Sequence, residues 1–128
     1  MINFVDYTLK RRSTIKDFRS GRISRWEACD AHPEITRIAR NCGEETDSAC
    51  PICGKFNLRN LNFVYGDDLG YESGRIFPID VVFNGLLDRF DSFICYVVEV
   101  CLDCSWNHLV RSYHIKEEDN RERKARQI

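Results

Sequence analysis

The sequence predicts an α+β protein: an N-terminal three-helix segment over residues 2–43, then a zinc-ribbon-like antiparallel sheet over 50–115 with one inserted helix. Three observations carry this. Apolar residues recur at helical spacing in the first third of the chain. They alternate with polar residues after Cys50, the period of a half-buried strand. Two C-x₂-C pairs, Cys50-Pro51-Ile52-Cys53 and Cys101-Leu102-Asp103-Cys104, sit where strands are expected to begin and end. Residues 1–115 are thus read as a single compact domain and 116–128 as a charged, disordered tail.

In order, residues 2–19 place Phe4, Val5, Leu9, Ile15 and Phe18 at helical spacing, with Gly21 as a stop. Ser24-Arg25-Trp26-Glu27 has the S-x-x-E form of a capping box, in which Ser24 and Glu27 satisfy each other's backbone donors, so a short helix runs from about Arg25 to Asp30. Pro33 suits the first turn of a third helix with Ile35, Ile38, Ala39 and Cys42 on one face and Gly43 at its end. Glu44 to Ala49 reads as a polar linker. Leu61, Phe63 and Tyr65 mark a strand that ends at Gly66, and 67–74 a loop. Pro78 opens the inserted helix, whose stripe is Val82, Phe83, Leu86, Leu87 and Phe90. Phe93 to Val100 is apolar on both faces except at Glu99, as a central strand is; Leu109, Tyr113 and Ile115 mark the last strand. Nine of the thirteen residues from Lys116 onward are charged, so that segment is read as a solvated tail or frayed helix.

The cysteine pairs are the sharpest chemical signal. Two intervening residues let one tight turn aim both sulfurs at a point, and two such turns complete a tetrahedron. Zinc suits four thiolates because it imposes no geometry of its own and does not change redox state. The expected cofactor is therefore one structural Zn²⁺ held by Cys50, Cys53, Cys101 and Cys104. Four protein ligands leave no open position for a substrate, which argues against metal catalysis. Gly54 permits the backbone turn that points amides back at the sulfurs; Ser105 stands at the matching place in the second pair. The 47 residues from Gly54 to Val100 exceed the compact spacing of about 15–20 between such pairs. The inserted helix fills the gap.

The other thiols are read differently. Cys95 is a small core residue in a strand. Cys29, His32 and Cys42 form a C-x₂-H-x₉-C set that offers a second metal site, although helical cysteines more often pack. His32-Pro33-Glu34 followed by Cys50-x-x-Cys53 also resembles the zinc deaminase signature. Ala49 in place of the proline before Cys50 disfavours it, and it would leave Cys101 and Cys104 without purpose. No nucleophile elbow, phosphate-binding glycine loop or paired-carboxylate motif occurs. The chain is read as non-enzymatic, with no small-molecule substrate.

Lys and Arg total 19 against 20 Asp and Glu, a net charge of -1, so bulk charge gives no reason to expect polyanion binding. The first ten residues include Asp6 and Lys10 with no apolar run behind them, so no signal peptide is read. No stretch reaches the roughly 18 apolar residues of a membrane helix. An odd seven cysteines without an export signal disfavour a disulfide framework, and the expected location is cytoplasmic. Charge is, however, uneven. Lys10, Arg11, Arg12, Lys16, Arg19, Arg22 and Arg25 are offset between Leu9 and Trp26 by Asp17 alone. Such a segment makes a basic face or an ordinary solvated helix surface. Trp26 and Trp106, if exposed, add stacking surfaces for unpaired bases. The three helices loosely suggest a helix-turn-helix, with Arg37 and Arg40 as the sole plausible base readers.

The segments RRS (Arg11 to Ser13), CDAHP (Cys29 to Pro33), CPIC (Cys50 to Cys53) and VVEVCLDCSWNHLVRSY (Val97 to Tyr113) resemble an uncharacterised family of small actinobacterial zinc-ribbon-like proteins. The resemblance runs from about Val5 to Tyr113, leaves out the charged tail and implies a metal at Cys50, Cys53, Cys101 and Cys104 without implying an activity. The resulting expectation is a zinc-ribbon module docking on RNA polymerase, the ribosome or nucleic acid itself through the basic helix. The alternatives are a protein-only adaptor and a zinc or redox sensor.

Overall fold

The computed structural model describes residues 2–126. Its frame is one antiparallel sheet in the order β1-β5-β4-β3-β2, formed by Asn3–Asp6 (β1), Glu44–Glu45 (β2), Leu58–Tyr65 (β3), Phe93–Cys101 (β4) and Asn107–Ile115 (β5). The expected central strand is indeed central. β3 and β4 pair without interruption from Leu58↔Cys101 to Tyr65↔Ile94. β4 and β5 pair from Phe93↔Ile115 to Val100↔Asn107, with a register shift between Val97 and Val98.

The helices are Thr8–Arg19 (α1), Arg25–Ala28 (α2), Pro33–Cys42 (α3), a segmented α4 and Glu117–Arg126 (α5). α4 comprises Ile79–Val81, a π-helical stretch Val82–Leu86 and Leu87–Arg89. The capping box forms: the Ser24 hydroxyl accepts the Glu27 amide at 3.1 Å. Pro33 occupies the first turn of α3, and the His32 Nδ1 accepts the Glu34 amide at 3.1 Å. Gly43 is the C-cap of that helix, its backbone already extended, and a Cβ there would press on the Ala39 carbonyl oxygen and lie 2.7 Å from the Arg59 Cβ, so no side chain fits.

Three expectations are corrected. The chain does not open with a three-helix segment, because Asn3–Asp6 is a strand paired to β5 from Asn3↔His114 to Asp6↔Arg111. The Asp6 carboxylate then accepts the Thr8 amide at 2.7 Å and starts α1 there. The linker after Gly43 begins with a two-residue strand, Glu44–Glu45, against β3. The charged tail, expected to be disordered, is helical through Arg126, and Gln127 and Ile128 lie outside the described residues. Asn120 fastens it: fully buried, its side-chain amide donates to the carbonyls of Leu87 at 3.1 Å and Phe90 at 2.6 Å. Composition predicts a solvated segment; this amide and the Lys124–Asp91 ion pair, at 3.1 Å, hold it to the end of α4 instead.

Two ends of the sheet are packed differently. Away from the cysteines, Val64, Cys95, Val97 and Ile115 meet Val82, Leu86 and Leu87 of α4 in the larger apolar core. At the cysteine end, Ile15 of α1 and Ala28 of α2 pack on Leu58, Trp106, Cys50 and Cys101. Ala39 of α3 closes a small third cluster with Leu61 and Val100.

Candidate metal centre

Each cysteine pair forms the same turn. In the first, the Gly54 amide donates to the Cys50 carbonyl at 2.9 Å, and the Cys50 amide donates to the Lys55 carbonyl at 2.8 Å. In the second, Ser105 donates to the Cys101 carbonyl at 3.1 Å and Cys101 to the Trp106 carbonyl at 2.8 Å. Gly54 has φ +77°, and Ser105, the one non-glycine residue with positive φ among the described residues, has φ +69°. The second turn therefore needs the left-handed conformation as much as the first and obtains it without glycine. One turn leads into β3 and the other joins β4 to β5, so the Leu58↔Cys101 pairing brings the two together.

The four sulfurs then meet. Cys50 Sγ lies 3.6 Å from Cys104 Sγ, Cys53 Sγ lies 3.6 Å from Cys101 Sγ, and all four atoms fall within 4.8 Å of one another. A tetrahedron of thiolates with metal–sulfur bonds of about 2.3 Å has edges of about 3.8 Å. The donor set and its dimensions thus fit a tetrahedral metal ion. Cys50 and Cys101 are buried, whereas Cys53 and Cys104 are half-buried, so the cage opens to water along one side.

The electrostatics agree with that fit. Burial pushes the Cys50 and Cys101 thiols up to about 11, against the amides of Cys53 and Ile52 on the first and of Cys104 and Asp103 on the second, which favour the thiolate. Burial likewise takes Cys104 up to about 12, although the Trp106 amide points at its sulfur. At Cys53 burial works the same way, but the Lys55 amide and the neighbouring thiols outweigh it and the pKa falls below its ordinary value. Four adjacent sulfurs cannot all ionise unaided, because each thiolate disfavours the next. A divalent cation removes that obstacle, and amides already aimed at the sulfurs stabilise the bound thiolates.

The second candidate set does not assemble. Cys29 lies beside Cys104, with 3.5 Å between their sulfurs, while His32 caps α3 and Cys42 is exposed at its far end. The other cluster of potential ligands is absent among the described residues, and no histidine joins the four cysteines. The deaminase-like pairing of His32 and Glu34 with Cys50 and Cys53 is accordingly not formed.

The basic segment is partly spent on structure. Arg11 pairs with Glu99, which is only 7% exposed, and the Trp106 Nε1 donates to the same carboxylate at 3.1 Å. Trp106 is 1% exposed and stacks on His108, so it cannot serve as a base platform; that expectation is withdrawn. Its hydrophobic ring completes the core beneath the second turn. Trp26, by contrast, is 85% exposed. Arg22 is within 3.5 Å of Asp17, Lys10 borders a hollow that includes Glu27 and Asp30, and Arg25 is exposed on α2. Arg12, Lys16 and Arg19 line a cleft of about 890 Å³ between α1 and the Ser48–Gly54 turn, with no carboxylate in its walls. Sequence reasoning assigned Glu99 no role, although it ties α1 to the sheet, and grouped Cys29 with His32 and Cys42 where the fold sets it beside Cys104. An acid inside the apolar run 93–100 was the available signal for the first; Cys29 comes near only through tertiary packing.

The chain matches, over residues 2–128, the model of the "Family of unknown function (DUF5318)" and belongs to that family. The match includes the charged segment after Tyr113, which the resemblance seen in sequence had left out. Among its relatives are the uncharacterized protein Mb0050 of Mycobacterium bovis and the uncharacterized protein Rv0049 of Mycobacterium tuberculosis. Each is 44% identical over 109 residues, covering 85% of this chain and 79% of theirs. No solved structure matches the chain. No helix among the described residues is long and apolar enough to cross a membrane.

Proposed function

We propose that this protein is a non-enzymatic module in which one structural Zn²⁺, bound by Cys50, Cys53, Cys101 and Cys104, fixes a basic surface that docks on nucleic acid or a nucleic-acid machine such as RNA polymerase or the ribosome. The observation that carries this reading is the position of the cleft. Its floor is the first cysteine turn and its wall is the Arg12, Lys16 and Arg19 side of α1, so the ion that closes the turn also sets the spacing of the cleft. A chain of net charge -1 that gathers cations around a carboxylate-free groove has a local attraction for phosphate which its total charge hides. Exposed Trp26 offers a stacking surface on the neighbouring helix.

The test is fluorescence anisotropy with labelled single-stranded RNA and DNA, and pull-down of purified RNA polymerase and ribosomes, each across a salt titration. Three phosphate contacts predict a slope of log affinity against log salt of roughly -2 for a single strand. Changing Arg12, Lys16 and Arg19 together to glutamate is expected to abolish binding while metal content stays at one equivalent. Absence of binding to any of these at low salt refutes the reading. Salt-insensitive binding would instead favour a protein-only adaptor, for which the sheet offers an apolar hollow lined by Phe63, Tyr65, Tyr96, Val98 and Leu109.

A further inference from the structure

Five sulfurs converge where a tetrahedral ion needs four. The Cys29 thiol donates to Cys104 Sγ at 3.5 Å, as close as the neighbouring ligand sulfurs are to one another, yet it lies outside the group of four that surround a common centre. Its place is held from the backbone. The Ala31 amide donates to the Ser105 carbonyl at 3.1 Å, and the Asn107 side-chain amide donates to Asp30 Oδ1 at 2.8 Å, so the residues following Cys29 are clamped to the turn that carries Cys104. Cys29 belongs to the same packed cluster as Cys50, Cys101 and Cys104. Access favours the outer thiols: Cys29, Cys53 and Cys104 are half-buried while Cys50 and Cys101 are buried, and of the two outer cysteines in the group of four it is Cys104 that Cys29 touches.

Resting on the metal reading above, we propose that Cys29 is an oxidation site whose product is a Cys29–Cys104 disulfide, formed at the cost of one metal ligand, with a hydroperoxide as the two-electron oxidant. In the first step the Cys29 sulfur takes the terminal hydroperoxide oxygen. The O–O bond breaks, the thiol proton passes to the departing alkoxide, and Cys29 becomes a sulfenic acid. In the second step the Cys104 thiolate gives up its bond to the metal and attacks the Cys29 sulfur; the S–O bond breaks and the departing hydroxide takes a proton from solvent to leave as water. One thiol and one thiolate are thereby oxidised by two electrons in all, one proton is taken from solvent, and one hydroperoxide is reduced to alcohol and water. Cys104 can no longer ligate, and three remaining thiolates hold the ion far less firmly. A dithiol reductant reverses the change.

The proposal gives Cys29 a role that a packing cysteine lacks, and the following experiment separates the two. The full chain is loaded with one equivalent of Zn²⁺, its metal content is measured, and it is exposed to limiting hydrogen peroxide. Zinc release is followed with a chromogenic chelator, and the first disulfide is located by non-reducing peptide mapping. The expected result is a Cys29–Cys104 linkage appearing in step with zinc release. In Cys29→Ser and Cys29→Ala, each still binding one equivalent, release is expected to slow by about tenfold or more. A first disulfide confined to the four ligands overturns the proposal, as does an unchanged release rate in both variants. Loss of metal from both variants before oxidation overturns it too, by making Cys29 a ligand. If the unmodified chain binds no zinc, the metal reading fails on its own, and the disulfide map of that sample still decides the thiol pair.

Discussion

The two ends of the sheet are held by different physics. Around α4, the residues Val64, Leu69, Val82, Leu86, Leu87, Phe93, Cys95, Val97 and Ile115 are buried together in the larger apolar cluster. At the cysteine end the buried set is Ile15, Ala28, Leu58 and Trp106 besides the thiols. The half-buried Ile23 and Ile52 and the ring of Phe18 pack around that smaller set, and three of the four clustered cysteines have thiol pKa values pushed up to about 11 or 12. The comparison teaches that the four-cysteine group lies at the end of the sheet with the smaller apolar core, which is also where α1 and its cleft are attached.

The largest expected effect breaks the thin end. Cys101→Ser removes one of the four proposed ligands at the last residue of β4, and because metal binding energy in such sites is folding energy, on the order of 10 kcal/mol, the variant is expected to bind no zinc equivalent. Hydrogen exchange should then show α1, α2 and the 101–107 turn losing protection while 93–97 of β4 retains more. Uniform protection across the sheet with the fourth thiol gone would mean that apolar packing alone holds both ends.

The converse change, Leu86→Ala, attacks the apolar end. Leu86 is buried against β4 and β5 through the α4 cluster, and truncating it is expected to cost about 2–5 kcal/mol, read from denaturant unfolding. Zinc stoichiometry should stay at one, since no ligand lies in that cluster. Loss of zinc from a variant that remains folded would show that the two ends are coupled more tightly than their separate cores imply.

The same contrast explains what could be read before the fold was known. Cys50, Cys53, Cys101 and Cys104 announce their geometry through spacing, since two residues between ligands dictate a turn whatever surrounds it. α4 is legible because Val82, Leu86 and Leu87 repeat with a helical period and bury together. β1 was hidden because Phe4 and Val5 fit a helical stripe with Leu9, although all three are exposed; the Asp6 side chain, which starts α1 two residues later at Thr8, was the better marker. The tail helix was hidden because nine charges suggest solvent, and its anchors, Asn120 on the end of α4 and Lys124 on Asp91, are polar. Trp106 and Cys29 could not be placed by period or spacing, because what fixes them is contact with residues far away in sequence: Glu99 sits across the β4–β5 turn from the ring, and Cys104 lies 75 residues from Cys29.

The smallest expected effect sharpens a comparison inside the thin end itself. The two cysteine turns share their hydrogen bonds and their positive φ, but one uses Gly54 and the other Ser105. A side chain in the left-handed region costs roughly 1 kcal/mol, part of which glycine returns through its greater freedom in the unfolded chain. Ser105→Gly is therefore expected to stabilise the protein by about 0.5 kcal/mol, a rise of roughly 2 °C in Tm, with metal content unchanged. Gly54→Ser should do the opposite by about 1 kcal/mol, since nothing lies within 4 Å of a Cβ there and only the backbone resists. Opposite signs at the two positions would establish that the turns are equivalent and that Ser105 is tolerated strain. A Ser105→Gly variant that loses stability would instead give the serine hydroxyl a task beside Cys104, and the two halves of the cage would no longer be interchangeable.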